Sequence, residues 1–456
     1  MTINYKFWEG RHPLIAIGAA LATIGALAFL AFFVLDLFRE HGNPYLGILF
    51  FLLLPGVFIF GLLLMPLGAW LERRRRLAGK PPAEWPRVDL NDVRQREIVF
   101  GIVLLTLVNA VIVSLAAYRG LEFMDSVTFC GKVCHEVMEP EFVANQAGPH
   151  ARVVCVDCHI GPGAPWFVRS KLSGTRQVFA VMLSTFSRPI PSPVHNLRPA
   201  RDTCEQCHWP AKFHGDIVRV SREYASDETN SETVTTLRVH VGGGDPGLGQ
   251  VSGIHWHMAL ANKVEYIATD EKRQVIPYVK FTDRFGNVKE YRSEGVTQAE
   301  LDRNELRLMD CVDCHNRPSH PFSPSAERAV DGAIGSNEIP RDLPFVRREG
   351  VAVLKAEHSS QQAAFDAIAS KVRAFYRSTY PDVYAQRRQD VERAVNALQG
   401  LYRRNVFPSM KVGWGTYPNN IGHMDFPGCF RCHDDSHKAQ DGSVIKQDCE
   451  TCHTIE

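Results

Sequence analysis

The chain has 456 residues, 45% of them hydrophobic, with a formal net charge of +1. That length leaves room for two or three domains, and the near-neutral balance excludes the strong field that nucleic acids or acidic partners require. All 12 cysteines fall after residue 129, in six pairs each closed by a histidine.

Three apolar runs come first: Leu14 to Leu37, Tyr45 to Trp70 and Ile98 to Tyr118. Each is long enough for a helix of roughly 31 to 39 Å, which spans the hydrocarbon core. The first is too long for a signal peptide and is expected to stay as an anchor. Arg73, Arg74, Arg75, Arg76, Lys80, Arg87, Arg94 and Arg96 lie between the second and third runs. The positive-inside rule places residues 71–97 in the cytoplasm, hence the N-terminus inside and residues 119–456 outside. No histidine lies within the runs, so haem embedded in the bundle is not expected. Residues 1–120 therefore read as a three-helix anchor.

Residues 121–215 follow, dense in a second pattern. Cys155 and Cys158 precede His159 in the c-type haem attachment spacing. Two thiols add to the haem vinyl groups and the adjoining imidazole faces the iron. Cys130, Cys134 and His135 form a wider version, with three residues between the thiols, and Cys204, Cys207 and His208 a third site. Between them lies Gly161-Pro162-Gly163, then Pro165-Trp166-Phe167 and an apolar stretch, Val178 to Phe186. That composition suits a membrane-interface helix or a helix packed on haem.

Residues 216–296 hold no cysteine and read as a small β insertion, with strands expected at Asp216–Arg222, Thr233–Val241, Lys263–Thr269, Gln274–Phe281 and Val288–Arg292. Inside it, His255 and His257 are two apart, on one face if the segment is a strand. The fourth site, Cys311, Cys314 and His315, occupies residues 297–322. Residues 323–410 read as a helical spacer, from the apolar periods of Ala363 to Tyr376 and Val391 to Tyr402. Residues 411–456 carry the last two sites: Cys429, Cys432, His433 and Cys449, Cys452, His453. Zinc held by four thiolates would also use such pairs, but gives no reason for a histidine after each, and a two-residue loop is a redox spacing and not a structural disulfide. Six haem c groups are expected, so the fold class is a membrane-anchored multihaem cytochrome c. Its outer domain is expected to be haem-packed and mostly α or irregular, with a small β insertion.

Each iron needs a sixth ligand or keeps an open position. By context the distal candidates are His150, His195, His255, His257, His320, His423 and His437. His214, His240 and His358 read as surface or packing residues. Met138, three residues after His135, is a further candidate at the first site, because a thioether raises the potential.

From about Phe123 to His208, with HARVVCVDCH at its centre, the chain resembles the NapC/NirT family of membrane-anchored multihaem quinol dehydrogenases. With CHNRPSH and GHMDFPGCFRCH downstream it resembles the larger inner-membrane cytochromes of that family in metal-respiring bacteria. It departs from the common member, which has one helix and four haems. The resemblance implies a quinol site beside the first haem, with a basic residue and a carboxylate. By position Lys171 is that basic residue, and Asp125, Glu139 and Glu141 are the carboxylate candidates. It implies oxidation of menaquinol or another quinol from the membrane pool, and transfer to a periplasmic cytochrome or reductase in anaerobic respiration. Two alternatives remain: a terminal reductase with one open iron, and a haem-bearing subunit bridging a larger membrane complex.

Overall fold

A computed structural model describes residues 12–37, 54–81, 89–133, 135–161, 163–194, 197–243, 252–259 and 261–456. The chain forms two compact units, one of residues 1–125 with 160–176, the other of residues 126–159 with 177–456.

In the first unit, helices α1 (Pro13–Leu37) and α3 (Val93–Met124) cover the first and third apolar runs, and α2 (Leu54–Leu77) the later part of the second. Ile24, Leu63, Leu105 and Leu115 stand exposed. A helix apolar on all sides with its leucines uncovered suits lipid and not water. Helices α1 and α2 meet through small residues. A Cβ on Gly18 would lie 2.6 Å from the Gly61 carbonyl oxygen, and one on Gly61 would lie 2.6 Å from the Ala22 nitrogen. Such contacts let two backbones approach as membrane helices do. Among the described residues, Gly56–Leu77 alone is both long and apolar enough to cross a membrane, and Pro13–Ala28 is a shorter apolar helix. The start of the expected second span, residues 45–53, lies outside the described residues. The arginine run departs from expectation: Arg73 to Arg76 continue α2 instead of opening a loop, with Arg76 paired to Glu72 one turn back at 3.1 Å. Helix α4 (Ala164–Met182) begins in this unit at the aromatic segment, and Lys171 Nζ sits 4.9 Å above the Phe167 ring.

The second unit has a helical layer and two sheets. Helices α5 (Ala326–Gly335), α6 (Val346–Lys355), α7 (Gln361–Thr379) and α8 (Arg388–Asn405) bury Val330, Leu354, Ile368, Val372, Val395 and Leu398 between them. Ser325 and Ser360 cap α5 and α7 by accepting from the Arg328 and Ala363 amides, satisfying donors that a helix start leaves open.

The cysteine-free segment before the fourth site does not form a separate insertion. Strands β1 (Asp216–Tyr224) and β2 (Glu232–His240) pair in register Asp216↔His240. Strands β3 (Lys263–Ile267), β4 (Tyr278–Thr282) and β5 (Val288–Arg292) form a second meander. This sheet is closed by β6 (Arg307–Leu308) and by β7 (Lys438–Ala439), in the order β6-β3-β4-β5-β7. The first is closed by β8 (His453–Ile455), whose His453 opposes Val239. Both sheets are thus completed by strands lying beside attachment motifs, which ties the sites at the end of the chain to its middle. Asn230, at the β1–β2 turn, is fully buried and bonds the Arg341 and Leu343 carbonyls at 2.8 and 2.9 Å, tying the hairpin to the helical layer.

Candidate haem-binding sites

Several attachment motifs form short turns. Cys155–His159, Cys311–Cys314 and Cys449–Cys452 are single helical turns. At the first motif Gly131 is required by packing: a Cβ there would lie 2.1 Å from the Phe142 ring. At the fifth, Gly428 has φ of +50° and its α-carbon faces the Gly422 carbonyl, leaving no room for a side chain.

Five of the six proximal histidines stand opposite another imidazole. The pairs and ring-centre distances are His159–His320 at 6.2 Å, His208–His150 at 6.2 Å, His315–His255 at 6.3 Å, His433–His257 at 5.8 Å and His453–His423 at 6.1 Å. An ion bound by two imidazole nitrogens at about 2 Å each sets the ring centres roughly 6 Å apart. The spacing is too wide for ring stacking and fits one iron between each pair.

The partners are also oriented. His320 Nδ1 meets the Glu141 carbonyl at 2.8 Å, His150 Nδ1 that of Pro318 at 3.1 Å and His255 Nδ1 that of Val241 at 3.0 Å. His257 Nδ1 meets Ile254 O at 3.1 Å and His433 Nδ1 meets Lys446 O at 3.0 Å. A carbonyl can only accept, so Nδ1 carries the proton and Nε2 keeps its lone pair for a metal. Burial lowers the pKa of His159, His257 and His315 below the ordinary imidazole value, favouring the neutral form that ligates.

None of these partners lies next to the motif it faces. His320 lies beyond the fourth motif and faces the second. His150 precedes the second and faces the third, and His423 precedes the fifth and faces the sixth. The segment carrying His255 and His257 is not a strand but a 3-10 helix, Ile254–Met258. With three residues per turn, positions two apart diverge, so the two imidazoles address the fourth and fifth sites separately.

The candidate His437 is a correction. It is buried, its Nδ1 bonded to Asp434 at 2.8 Å and its Nε2 to the Ile276 carbonyl at 2.7 Å, so neither nitrogen is free for a metal. Cys134, His195 and the His135 side chain lie outside the described residues, and Met138 is half-buried on the helix His135–Ala147. Of the carboxylates assigned to a quinol, Glu139 is exposed on that helix. Glu141 is buried and bonded to Arg317 Nη2 at 2.6 Å, while its backbone carbonyl orients His320. It serves the second site and is not available to a quinol. Asp125 and Lys171 are half-buried, both in the first unit.

The motifs follow one another in space as they do along the chain. The Cys130 thiol lies near that of Cys155, and the Cys204 thiol near that of Cys311. Cys158 is within electrostatic reach of Cys204 and Cys207, Cys314 of Cys429, and Cys452 of Cys429. The eleven described cysteines are unbridged, and no three metal-binding side chains among the described residues converge on one point. The four-thiolate zinc alternative is therefore not assembled there. Around His453 the sheet face carries Ile217 and Ile455, 58% and 70% exposed. These are apolar surfaces beside a ligand that a flat apolar ring would cover.

Thiol pairs on turns, oriented imidazole couples and an uncovered apolar bed define a multihaem c-type cytochrome. Residues 93–190 match the N-terminal region of the NapC/NirT cytochrome c family. The chain is 43% identical over 448 residues to the cytochrome c-type protein ImcH of Geobacter sulfurreducens, covering 97% of this chain and 88% of that protein. It belongs to this family of membrane-anchored cytochromes, which bind haem c covalently. No solved structure matches it.

Proposed function

We propose that the chain is a hexahaem quinol dehydrogenase of the bacterial inner membrane. It would take electrons from menaquinol or a similar quinol at the periplasmic face and hand them to a periplasmic cytochrome or reductase. The observation that carries this reading is the run of five imidazole pairs, four of them oriented by a carbonyl, along motifs adjacent in chain order. Haem bound there would supply one-electron transfer, and two imidazoles at each of these five sites would leave no position for a substrate. This favours conduction over the terminal-reductase alternative.

The chain's own residues have distinct tasks in this scheme. Cysteines 130, 134, 155, 158, 204, 207, 311, 314, 429, 432, 449 and 452 supply the thioethers, and His135, 159, 208, 315, 433 and 453 the proximal nitrogens. His320, His150, His255, His257 and His423 supply the distal ones. Quinol oxidation releases two protons with two electrons. The family resemblance assigns the proton acceptor to Glu139 or Asp125 and the orienting of a quinol oxygen to Lys171. The basic residues from Arg73 to Arg96 support a cytoplasmic 71–97 segment and a periplasmic haem region.

The test mixes oxidised, purified protein with a reduced menaquinol analogue and follows the haem α-band without oxygen. Rapid reduction is expected, with the rate falling about a hundredfold in Glu139→Gln if Glu139 is the base. Protein that dithionite reduces and quinol does not would overturn the reading and favour a subunit bridging a larger complex.

A further inference from the structure

The fourth and fifth motifs share a buried cluster of charge. Arg431, the third residue of the fifth motif, is almost wholly buried, yet its guanidinium meets no carboxylate among the described residues. Its three nitrogens bond backbone carbonyls instead: Nε to Gly428 at 2.8 Å, Nη1 to Arg273 at 2.9 Å and Nη2 to Asp313 at 2.7 Å. Asp313 is the third residue of the fourth motif and is also buried. Its carboxylate is taken up by Arg273 Nη1 at 3.1 Å and the Tyr266 hydroxyl at 2.5 Å. The one carboxylate is thus paired with Arg273, and Arg431, held by the Asp313 backbone, is the unmatched cation. Its charge reaches Cys314 of one site and Cys429 and Cys432 of the other.

Burying an unpaired charge is costly, and carbonyl partners alone do not cancel it. A guanidinium does not lose its proton in proteins, so the charge is permanent. Each iron loses one unit of positive charge on reduction, so a fixed cation in a low-dielectric setting favours the reduced form. Asp310 and Asp434 lie nearby, but their carboxylates are taken up by backbone amides or His437 and act on Cys311 and Cys432 respectively.

We propose that Arg431 is a potential-setting residue, a permanent buried cation placed between the fourth and fifth haem sites to raise the potential of both. The pair then forms a low-energy resting place for electrons within the series. The inference rests on the haem-site assignment above and is tested apart from it. Haem content is measured first, in wild type, Arg431→Gln and Asp313→Asn, and an equilibrium redox titration of the α-band follows on the intact protein.

In Arg431→Gln, the part of the titration belonging to two sites should move to lower potential. In Asp313→Asn, which removes the compensating negative charge, it should move to higher potential. A role in packing alone predicts the same sign for both, because loosening either bond admits water. Equal signs, or no shift at full haem content, would overturn the proposal and leave the conduit reading intact. If Arg431→Gln does not assemble, Arg431→Lys decides: a wild-type titration supports the charge, and a shift to lower potential with the cation retained overturns it. Loss of haem from wild type would instead count against the site assignment itself.

Discussion

At the scale of single residues, orientation matters more than identity. The chain has 18 histidines, and five of those outside the motifs are set apart by a ring nitrogen facing a proximal imidazole. His255 and His257 show what this predicts. Replacing either by alanine should open one iron and leave its neighbour saturated, because each imidazole faces a different site. Low-temperature electron paramagnetic resonance should show one high-spin signal in each single variant and two in the double variant. A shared loss of both sites in one single variant would contradict the divergence of the 3-10 turn. Glu141 makes a second case. Its side chain and that of Arg317 are both largely buried, so Glu141→Gln leaves an uncompensated guanidinium and should cost about 3 kcal/mol. The readout is the midpoint of chemical unfolding followed at the haem Soret band, and an unchanged midpoint would show the pair to be dispensable.

At the scale of elements, the helical layer and the haem region have different sources of stability. The layer buries ordinary side chains, with Leu398 and Ile368 fully enclosed. Leu398→Ala should therefore cost about 3 kcal/mol, seen as earlier loss of helical circular dichroism with the α-band unchanged. Charge adds a pH dependence. Two hydrogen bonds from Arg373, at 2.7 and 2.6 Å, hold the Glu392 carboxyl below its ordinary value. A carboxylate depressed on folding stabilises above its unfolded pKa, and that stability is lost as pH falls through the folded one. Helical melting should thus be independent of pH near neutrality and drop below about pH 4, with a smaller drop in Glu392→Gln. The strands obey a different logic. β6, β7 and β8 are two or three residues long, and they owe their place to the meanders they edge.

At the scale of the molecule, the proposed ligation would lace distant segments together. The second site would depend on a histidine from beyond the fourth motif, and the fourth and fifth on one turn in the middle of the chain. Removing the haem should therefore act regionally. In protein made without covalent haem attachment, residues 326–405 should keep their helices while the segment 197–320 becomes open to trypsin. Uniform protection of both would mean that ordinary side chains suffice to fold the haem region.

The attachment motifs and proximal histidines were legible in the residue order alone, because each thiol pair and its imidazole must be neighbours to grip one ring. The apolar runs were equally legible, since a membrane requires uninterrupted hydrophobicity. So were α7 and α8, whose apolar period reflects a face buried in the layer. Which site each distal candidate faces was not. A distal imidazole need only reach the far side of an iron, and any distant segment can bring it there. His437 had the context of a ligand and bonds a carboxylate and a carbonyl instead, while Glu141 looked available and holds an arginine. Local chemistry is written in adjacent residues, but the pairing of imidazoles, the order of the sites and the buried Arg431 exist only once distant segments are packed together.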